Sequence, residues 1–241
     1  MSANLKNKKI KLPFVFSNFV ITADGKIAFS NREFVPFGGK HDHENMMELR
    51  ATADAVMAGS RTVEPRGVTM GPGGKKFQRL RLARGLSEYN LRIIVSGSGS
   101  MNTQADIFKH RFSPIIVLVS ERATEKQLRD LRKVSDEVKV FGKTDVDLPA
   151  ALGWLRDKWK VKRLLCEGGS TLHSAMISAG LLHELHLTMT PKIFGGNEAP
   201  SIADGRIAAN LADAAQFKLK STKRIGGELF AVFKKAKNTS F

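Results

Sequence analysis

One cysteine, one tyrosine and two tryptophans are all that 241 residues hold of three informative types. The lone thiol, Cys166, rules out a disulfide within the chain and a multi-cysteine zinc site. A reducing compartment, the cytoplasm, is the simplest setting for such a chain. Cys166 follows Leu164 and Leu165, so it reads as a buried strand residue rather than a nucleophile. No apolar run approaches the roughly 20 residues that span a bilayer, and no membrane partner is expected. Acidic residues are also short: 23 Asp and Glu stand against 39 Lys and Arg, for a net charge of +16 and a pI near 10.1. Such an excess attracts polyanions. Yet the basic residues are spread along the chain, no basic block is flanked by stacking aromatics, and no nucleic-acid motif occurs. Specific nucleic-acid binding is therefore not expected, and a non-enzymatic basic nucleic-acid-binding protein is kept as the reading from another class. The charge equally suits anionic small molecules, a dinucleotide and a sugar phosphate among them.

What is present is a 42% hydrophobic chain, enough to bury a full core. Residues 1–11, with Lys6, Lys8, Lys9 and Lys11, read as a flexible basic leader without an apolar stretch behind it. Residues 12–241 read as a single domain. Strand-like runs alternate with helix-like ones. Phe14–Thr22 is a strand ending at the turn signal Asp24-Gly25. Asp42–Thr52 is a helix opened by Asp42, with Met46, Leu49 and Ala53 at helical spacing. Asp54–Ala58 is a strand, Pro65–Lys75 a glycine-rich loop, and Phe77–Arg84 a basic helix anchored by Leu80. Strands follow at Leu91–Val95, Pro114–Val119 and Val138–Phe141. Thr124, with Gln127 three residues on, fits a capping box. Leu148–Trp159 is an amphipathic helix, Val161–Cys166 a buried strand, Thr171–Ala179 a helix closed by Gly180, and Leu185–Thr190 a strand. Phe217–Lys235 reads as two strands joined near Gly226-Gly227. Alternation of this kind implies an α/β fold, a mixed, mostly parallel central sheet flanked by helices, with antiparallel strands at the C-terminal end.

The most informative segment is Leu164-Leu165-Cys166-Glu167-Gly168-Gly169-Ser170-Thr171-Leu172: strand, glycine pair, helix. Glycines there let the backbone approach a ligand and adopt positive φ. The first helical turn leaves N–H groups unpaired and favours an anion. Ser170 and Thr171 can cap the helix or donate to phosphate. The segment suits a pyrophosphate, although it is neither G-x-G-x-x-G nor a P-loop; a tight structural turn is the plainer reading. Glu167 ends a buried parallel strand, where open α/β sheets place their ligands.

Several segments together resemble one family. Asn18 to Ala28 is similar to the "SLDGKIA" opening of the riboflavin-pathway pyrimidine reductases, and Leu49 to Val63 to their "LRA-x-x-DAVLVGAGTV" block. Glu167 to Leu172 resembles "EGGSTL", Gly180 to Leu185 "AGLVDEL", and Thr190 to Gly196 "TPKLLGG". The resemblance runs in order over residues 14–200 and implies a dihydrofolate reductase-like fold. It implies NADPH as cofactor: Ile21 and Thr22 near the nicotinamide; Gly59 and Thr62 at the phosphates or ribose; Ser96, Gly97 and Ser98, with Arg61, at the adenosine 2′-phosphate; Gly168, Gly169, Ser170, Thr171 and Leu172 around the pyrophosphate. The implied reaction sends hydride to ribose C1′ of the open imine of 5-amino-6-(5-phosphoribosylamino)uracil. Glu167 would bind the substrate and stabilise the cation. Asp24 would orient substrate or supply a proton, against a plain reading as a turn former.

Two departures bear on the substrate. Asn18 stands where members of the family often carry lysine. Thr62-Val63 runs into Glu64-Pro65-Arg66 rather than "DDP-x-L-x-x-R", so Arg66 or Lys75 would have to take the substrate phosphate. The partner deaminase domain is absent, since neither H-x-E nor P-C-x-x-C occurs. A reductase of the same fold acting on a pterin, folate, carbonyl or other imine is the alternative. His41-x-His43 lacks a third ligand and reads as a polar helix entrance, so no metal is expected. His173, His183 and His186 read as surface or interface residues, Trp154 and Trp159 as helix packing. The resemblance implies a homodimer, for which the apolar stretch Leu181–Met189 is the candidate surface.

Overall fold

The computed structural model describes residues 11–33, 35–205 and 208–236. The expected leader, apart from Lys11, lies outside the described residues. The chain opens with β1 (Phe14–Thr22), α1 (Lys40–Arg50), β2 (Ala55–Gly59) and a single turn, α2 (Ser60–Val63). There follow α3 (Lys75–Ala83), β3 (Leu91–Val95), the short α4 (Asp106–Lys109), β4 (Ile115–Val119), α5 (Glu125–Val134) and β5 (Glu137–Val140). Then come α6 (Leu148–Lys158), β6 (Arg163–Cys166), α7 (Ser170–Ser178) and β7 (Glu184–Thr190), and the hairpin β8 (Phe217–Ile225) and β9 (Glu228–Lys235).

The nine strands among the described residues form one sheet in the order β5-β4-β3-β2-β6-β1-β7-β9-β8. The first seven in that order are parallel, and β9 and β8 add antiparallel at one end. This is the mixed, mostly parallel arrangement expected from the alternation. Successive β1 residues enter opposite cores. Val15 and Phe19 join Leu152, Leu155 and Met176 on the face covered by α6 and α7. Phe16 joins Val56, Val117 and Leu131 on the other face. Burial on both faces is why these strands read as unbroken apolar runs. Phe16 is fully buried, and its truncation to alanine would cost about 3–5 kcal/mol.

Local chemistry sets the helix ends. Thr124 and Gln127 form the expected capping box on α5, and the Asp147 side chain accepts from Ala150 N at 3.0 Å to start α6. The start of α1 differs: Gly39 is the N-cap and Asp42 is the helix's third residue. The start of α3 differs too. It begins at Lys75, and the residue it buries is Arg81, not Leu80. Arg81 donates to the carbonyls of Arg50 (2.8 Å), Ala53 (2.6 Å) and Ser87 (2.8 Å). It thereby satisfies carbonyls left open at the end of α1. The stretch Leu181–Met189 is not a free surface. It leads into β7, which is hydrogen-bonded on one side to β1 and on the other to β9, and Leu181, Leu182 and Leu185 are buried.

Candidate active site

A cleft of about 1830 Å³ runs over the C-terminal ends of the parallel strands. Single-ligand pockets are usually about 300–1,000 Å³, so this cleft has room for two bound molecules side by side. One half is built by two helix starts. Gly59 precedes α2 and Gly169 precedes α7, and neither N-cap carries a side-chain hydrogen bond. Ser170 and Thr171 therefore do not cap α7; they line the cleft with Gly169 and Leu172. Gly59 N donates to Gly168 O at 2.8 Å, joining the two turns. The Gly168–Gly169 peptide is cis, and Gly168 has φ +99°. A Cβ on Gly168 would lie 3.1 Å from the Phe19 ring, and one on Gly169 would lie 3.2 Å from Thr62 Oγ1. The backbone is bare where a diphosphate would need its N–H groups, so the residues fit a dinucleotide.

Farther along, Ser96, Gly97 and Ser98 line the cleft with Arg61 and Arg122. Ser120 fastens this loop, its N and Oγ donating to Gly97 O at 3.0 and 2.6 Å. Arg122, just beyond β4, is a residue the sequence did not single out. Only the fold brings it beside the loop after β3.

The other half of the cleft lies under α1. Here Glu167 meets Arg50: Nε donates to Oε1 and Nη2 to Oε2, each at 2.6 Å, while Nη1 donates to Gly71 O at 2.7 Å. Both side chains are 10% exposed. Arg50 was visible in the sequence only as part of the Leu49-Arg50-Ala51 match; 117 positions separate it from its partner. Asn18 lies on this floor, since β1 pairs Ser17 with Cys166 and the next residues are Asn18 and Glu167. Arg66 lines the cleft on an exposed loop held by Asp106, which accepts from Gly67 N at 2.8 Å. Lys75 does not line it.

Gly168 shapes the turn without lining the cleft, and Ile21, Thr22 and Asp24 lie elsewhere. Ile21 and Thr22 are buried in β1 and do not line the cleft. The strand meets the cleft through Asn18, Phe19 and Val20 instead. Asp24 clamps a loop: it accepts from Thr22 Oγ1 (2.5 Å), Phe194 N (3.2 Å) and Gly195 N (2.8 Å). The Thr22 hydroxyl and these amides hold its carboxyl below the usual range. That is the turn-forming reading, and Asp24 does not line the cleft.

The histidines are structural. His173 is fully buried in α7, with Nε2 3.0 Å from Ser17 Oγ and Nδ1 2.7 Å from Ile202 O. A carbonyl only accepts, so Nδ1 carries the proton. Burial pushes this imidazole down to about 4. His183 Nδ1 accepts from Val15 N at 3.0 Å and stacks on Phe14. His186 packs edge-on against Phe16. Cys166 is buried as expected, and burial pushes its thiol up to about 12. Trp154 and Trp159 pack on the core as expected. Among the described residues no group of three His, Cys, Asp or Glu is placed to hold a metal.

Comparison with known proteins gives the chain a family. A family model described as the RibD C-terminal domain matches residues 13–231. The chain is 32% identical over 220 residues to the 2,5-diamino-6-ribosylamino-4(3H)-pyrimidinone 5′-phosphate reductase of Archaeoglobus fulgidus, covering 91% of this chain and 96% of the relative. In fold it is similar to a pyrimidine reductase-like protein from Corynebacterium diphtheriae, with a TM-score of 0.75 at 21% identity over 94% of this chain and 93% of that one. It is also similar to the diaminohydroxyphosphoribosylaminopyrimidine deaminase/5-amino-6-(5-phosphoribosylamino)uracil reductase of Thermotoga maritima. There the TM-score is 0.71 at 20% identity, over 94% of this chain and 57% of that one.

Proposed function

Since the chain belongs to the RibD C-terminal domain family, we propose that it is an NADPH-dependent reductase of riboflavin biosynthesis acting on a 6-(5-phosphoribosylamino)pyrimidine. Residues 12–241 would act as a single reductase domain. The observation that carries this reading is the pairing of two uncapped, glycine-led helix starts with a buried Arg50–Glu167 pair in one cleft.

NADPH, when bound, supplies the hydride. The backbone amides after Gly59 and Gly169 would hold its diphosphate, with Thr62, Ser170 and Thr171 donating hydroxyls. Ser96, Ser98, Arg61 and Arg122 would hold the 2′-phosphate, which is the basis for NADPH over NADH. The sugar must open before it can be reduced, and its C1′–nitrogen linkage then carries positive charge. Glu167 would face that charge. Arg50 fixes both carboxylate oxygens in direction while each retains an accepting lone pair. The protein's share of the work is positioning and electrostatics rather than covalent chemistry. Arg66 would take the substrate phosphate from its exposed loop.

A homodimer and a cytoplasmic setting complete the proposal. The free edge of the sheet at β8, where Leu219 stands exposed, suits a second copy. The lone thiol suits a reducing compartment. No helix among the described residues is long and apolar enough to cross a membrane.

The test is NADPH oxidation in the presence of the ribosylaminopyrimidine phosphate, with product identified by mass. Wild type is expected to turn over, and Glu167→Gln to lower kcat while leaving the NADPH Kd within about twofold. An equal loss in both would move Glu167 to the cofactor. Oxidation that proceeds with a pterin or folate and not with the pyrimidine would favour the alternative reductase.

A further inference from the structure

Arg81, in the last turn of α3, is 1% exposed, and its partners are carbonyls rather than a carboxylate. A guanidinium is costly to bury unless its donors are satisfied. Here Nη1 donates to Arg50 O at 2.8 Å and to Ala53 O at 2.6 Å, and Nε donates to Ser87 O at 2.8 Å. Burial lowers its pKa from the ordinary arginine value, and the charge of Asp54 opposes that shift. Asp54 is engaged elsewhere, accepting from Lys162 N and Arg163 N at 2.8 and 2.7 Å. A buried cation therefore holds the carbonyl of the last residue of α1 and a second one three residues on.

That last residue is Arg50, which is also the basic residue of the helix's final turn. A cation in this position is drawn to the open carbonyls and the negative end of the helix dipole. Arg50 reaches away from them instead. Its three nitrogens go to both oxygens of Glu167 and to Gly71 O. Arg81, arriving from α3, occupies the helix end in its place. The two guanidiniums divide two tasks: one satisfies the carbonyls, and the other is left whole for the cleft.

We propose that Arg81 is a positioning residue for the reduction: by capping α1 it frees the Arg50 guanidinium to hold Glu167 in the direction that the substrate's cationic C1′–nitrogen linkage requires. This deepens the reductase reading and rests on it for the role of Glu167. Arg81 does not line the cleft, so it acts only through Arg50. Without it, the open carbonyls compete with Glu167 for one guanidinium, and the carboxylate loses its fixed direction. The cofactor half, built on the starts of α2 and α7, keeps its own hydrogen bonds.

The test separates positioning from fold and from reduction. Nitrogen-15 NMR of the full chain follows exchange of the Arg50 Nε–H proton, with that of Arg92, which donates to Ser113 Oγ at 3.1 Å, as control. In Arg81→Lys, which keeps the charge and loses the fork, exchange at Arg50 is expected to quicken about tenfold and that at Arg92 to stay within about twofold. The same substitution should lower kcat about tenfold with the NADPH Kd held within about twofold. In a Glu167→Gln background it should change kcat by less than about twofold, because no charge is left to orient. Unaltered exchange at Arg50, equal quickening at Arg92, or the same kcat loss in both backgrounds would overturn the proposal. Arg81→Gln, which buries no charge, is the second variant; if neither folds, Arg81 serves the fold alone and the proposal falls. Quickened exchange at Arg50 alone, in a chain that does not reduce the ribosylaminopyrimidine phosphate, keeps the hold on Glu167 and removes the reductase reading. Turnover by wild type with Arg50 unmoved in the variant does the reverse.

Discussion

Arg50 holds Glu167 with two prongs, Nε to Oε1 and Nη2 to Oε2, each at 2.6 Å and both groups nearly buried. The third nitrogen of the fork reaches Gly71 O at 2.7 Å, so the pair also pins the glycine-rich loop that borders the substrate half of the cleft. Removing one member of such a pair strands the other charge in a site of low polarity. Arg50→Leu is therefore expected to destabilise the fold by about 3–5 kcal/mol in denaturant titration. The Arg50→Leu, Glu167→Gln double variant should recover part of that loss, because no buried charge is left unpaired. Additive losses would show that the two side chains do not depend on each other.

At Gly169 the close approach to α2 makes its own prediction. The residue's φ is −66°, which any side chain tolerates, but a Cβ there would stand 3.2 Å from Thr62 Oγ1. The two γ carbons of a valine would extend over the N–H groups that face the cleft. Gly169→Val is expected to raise the NADPH Kd about 10- to 100-fold, the equivalent of one or two charge-assisted hydrogen bonds, with the unfolding midpoint little changed. Calorimetry decides: an unaltered Kd would remove the diphosphate from this turn.

Cofactor choice should depend on Arg122. It lines the cleft beside Ser96 and Ser98, and its guanidinium is the kind of group that grips a phosphate in two places. Arg122→Ala is expected to weaken NADPH about tenfold and to leave NADH unchanged, which narrows the ratio of their Kd values. A parallel loss for both dinucleotides would place Arg122 away from the 2′-phosphate.

Much of this architecture was legible before any coordinates. Strands such as Leu91–Val95 were clear because both faces are buried and the run is unbroken. The Glu167–Leu172 segment was clear because glycine pairs and helix starts are local. What stayed hidden was long-range. Arg81 looked like one more cation on a basic helix, yet it is buried with its charge spent on the Arg50 and Ala53 carbonyls. Arg50 finds its carboxylate 117 positions away, and Arg122 reaches the cleft only because β4 lies beside β3. Asp24 and Ile21 went astray for a similar reason. Their motif marks the end of β1, but which strand residues face the cleft depends on what packs above them.

His173 couples the cradle to pH. It joins α7 to β1 through Ser17 and to the segment at Ile202, using both ring nitrogens. Its folded value of about 4 lies below the ordinary 6.5, so protonation favours the unfolded chain. The stability it contributes is fully present above about pH 6.5 and is lost as pH falls toward 4, by about 3 kcal/mol in all. His183 and His186 are shifted down as well, burial being the largest cause for each, and add in the same direction. Unfolding free energy should therefore fall steeply between about pH 6.5 and 4, with NADPH binding failing over the same window as α7 loosens. In His173→Asn one partner is lost, so stability at neutral pH should drop, but the acid slope should flatten by the share His173 carried. An unchanged slope in that variant would assign the acid sensitivity to the other two imidazoles and release α7 from it.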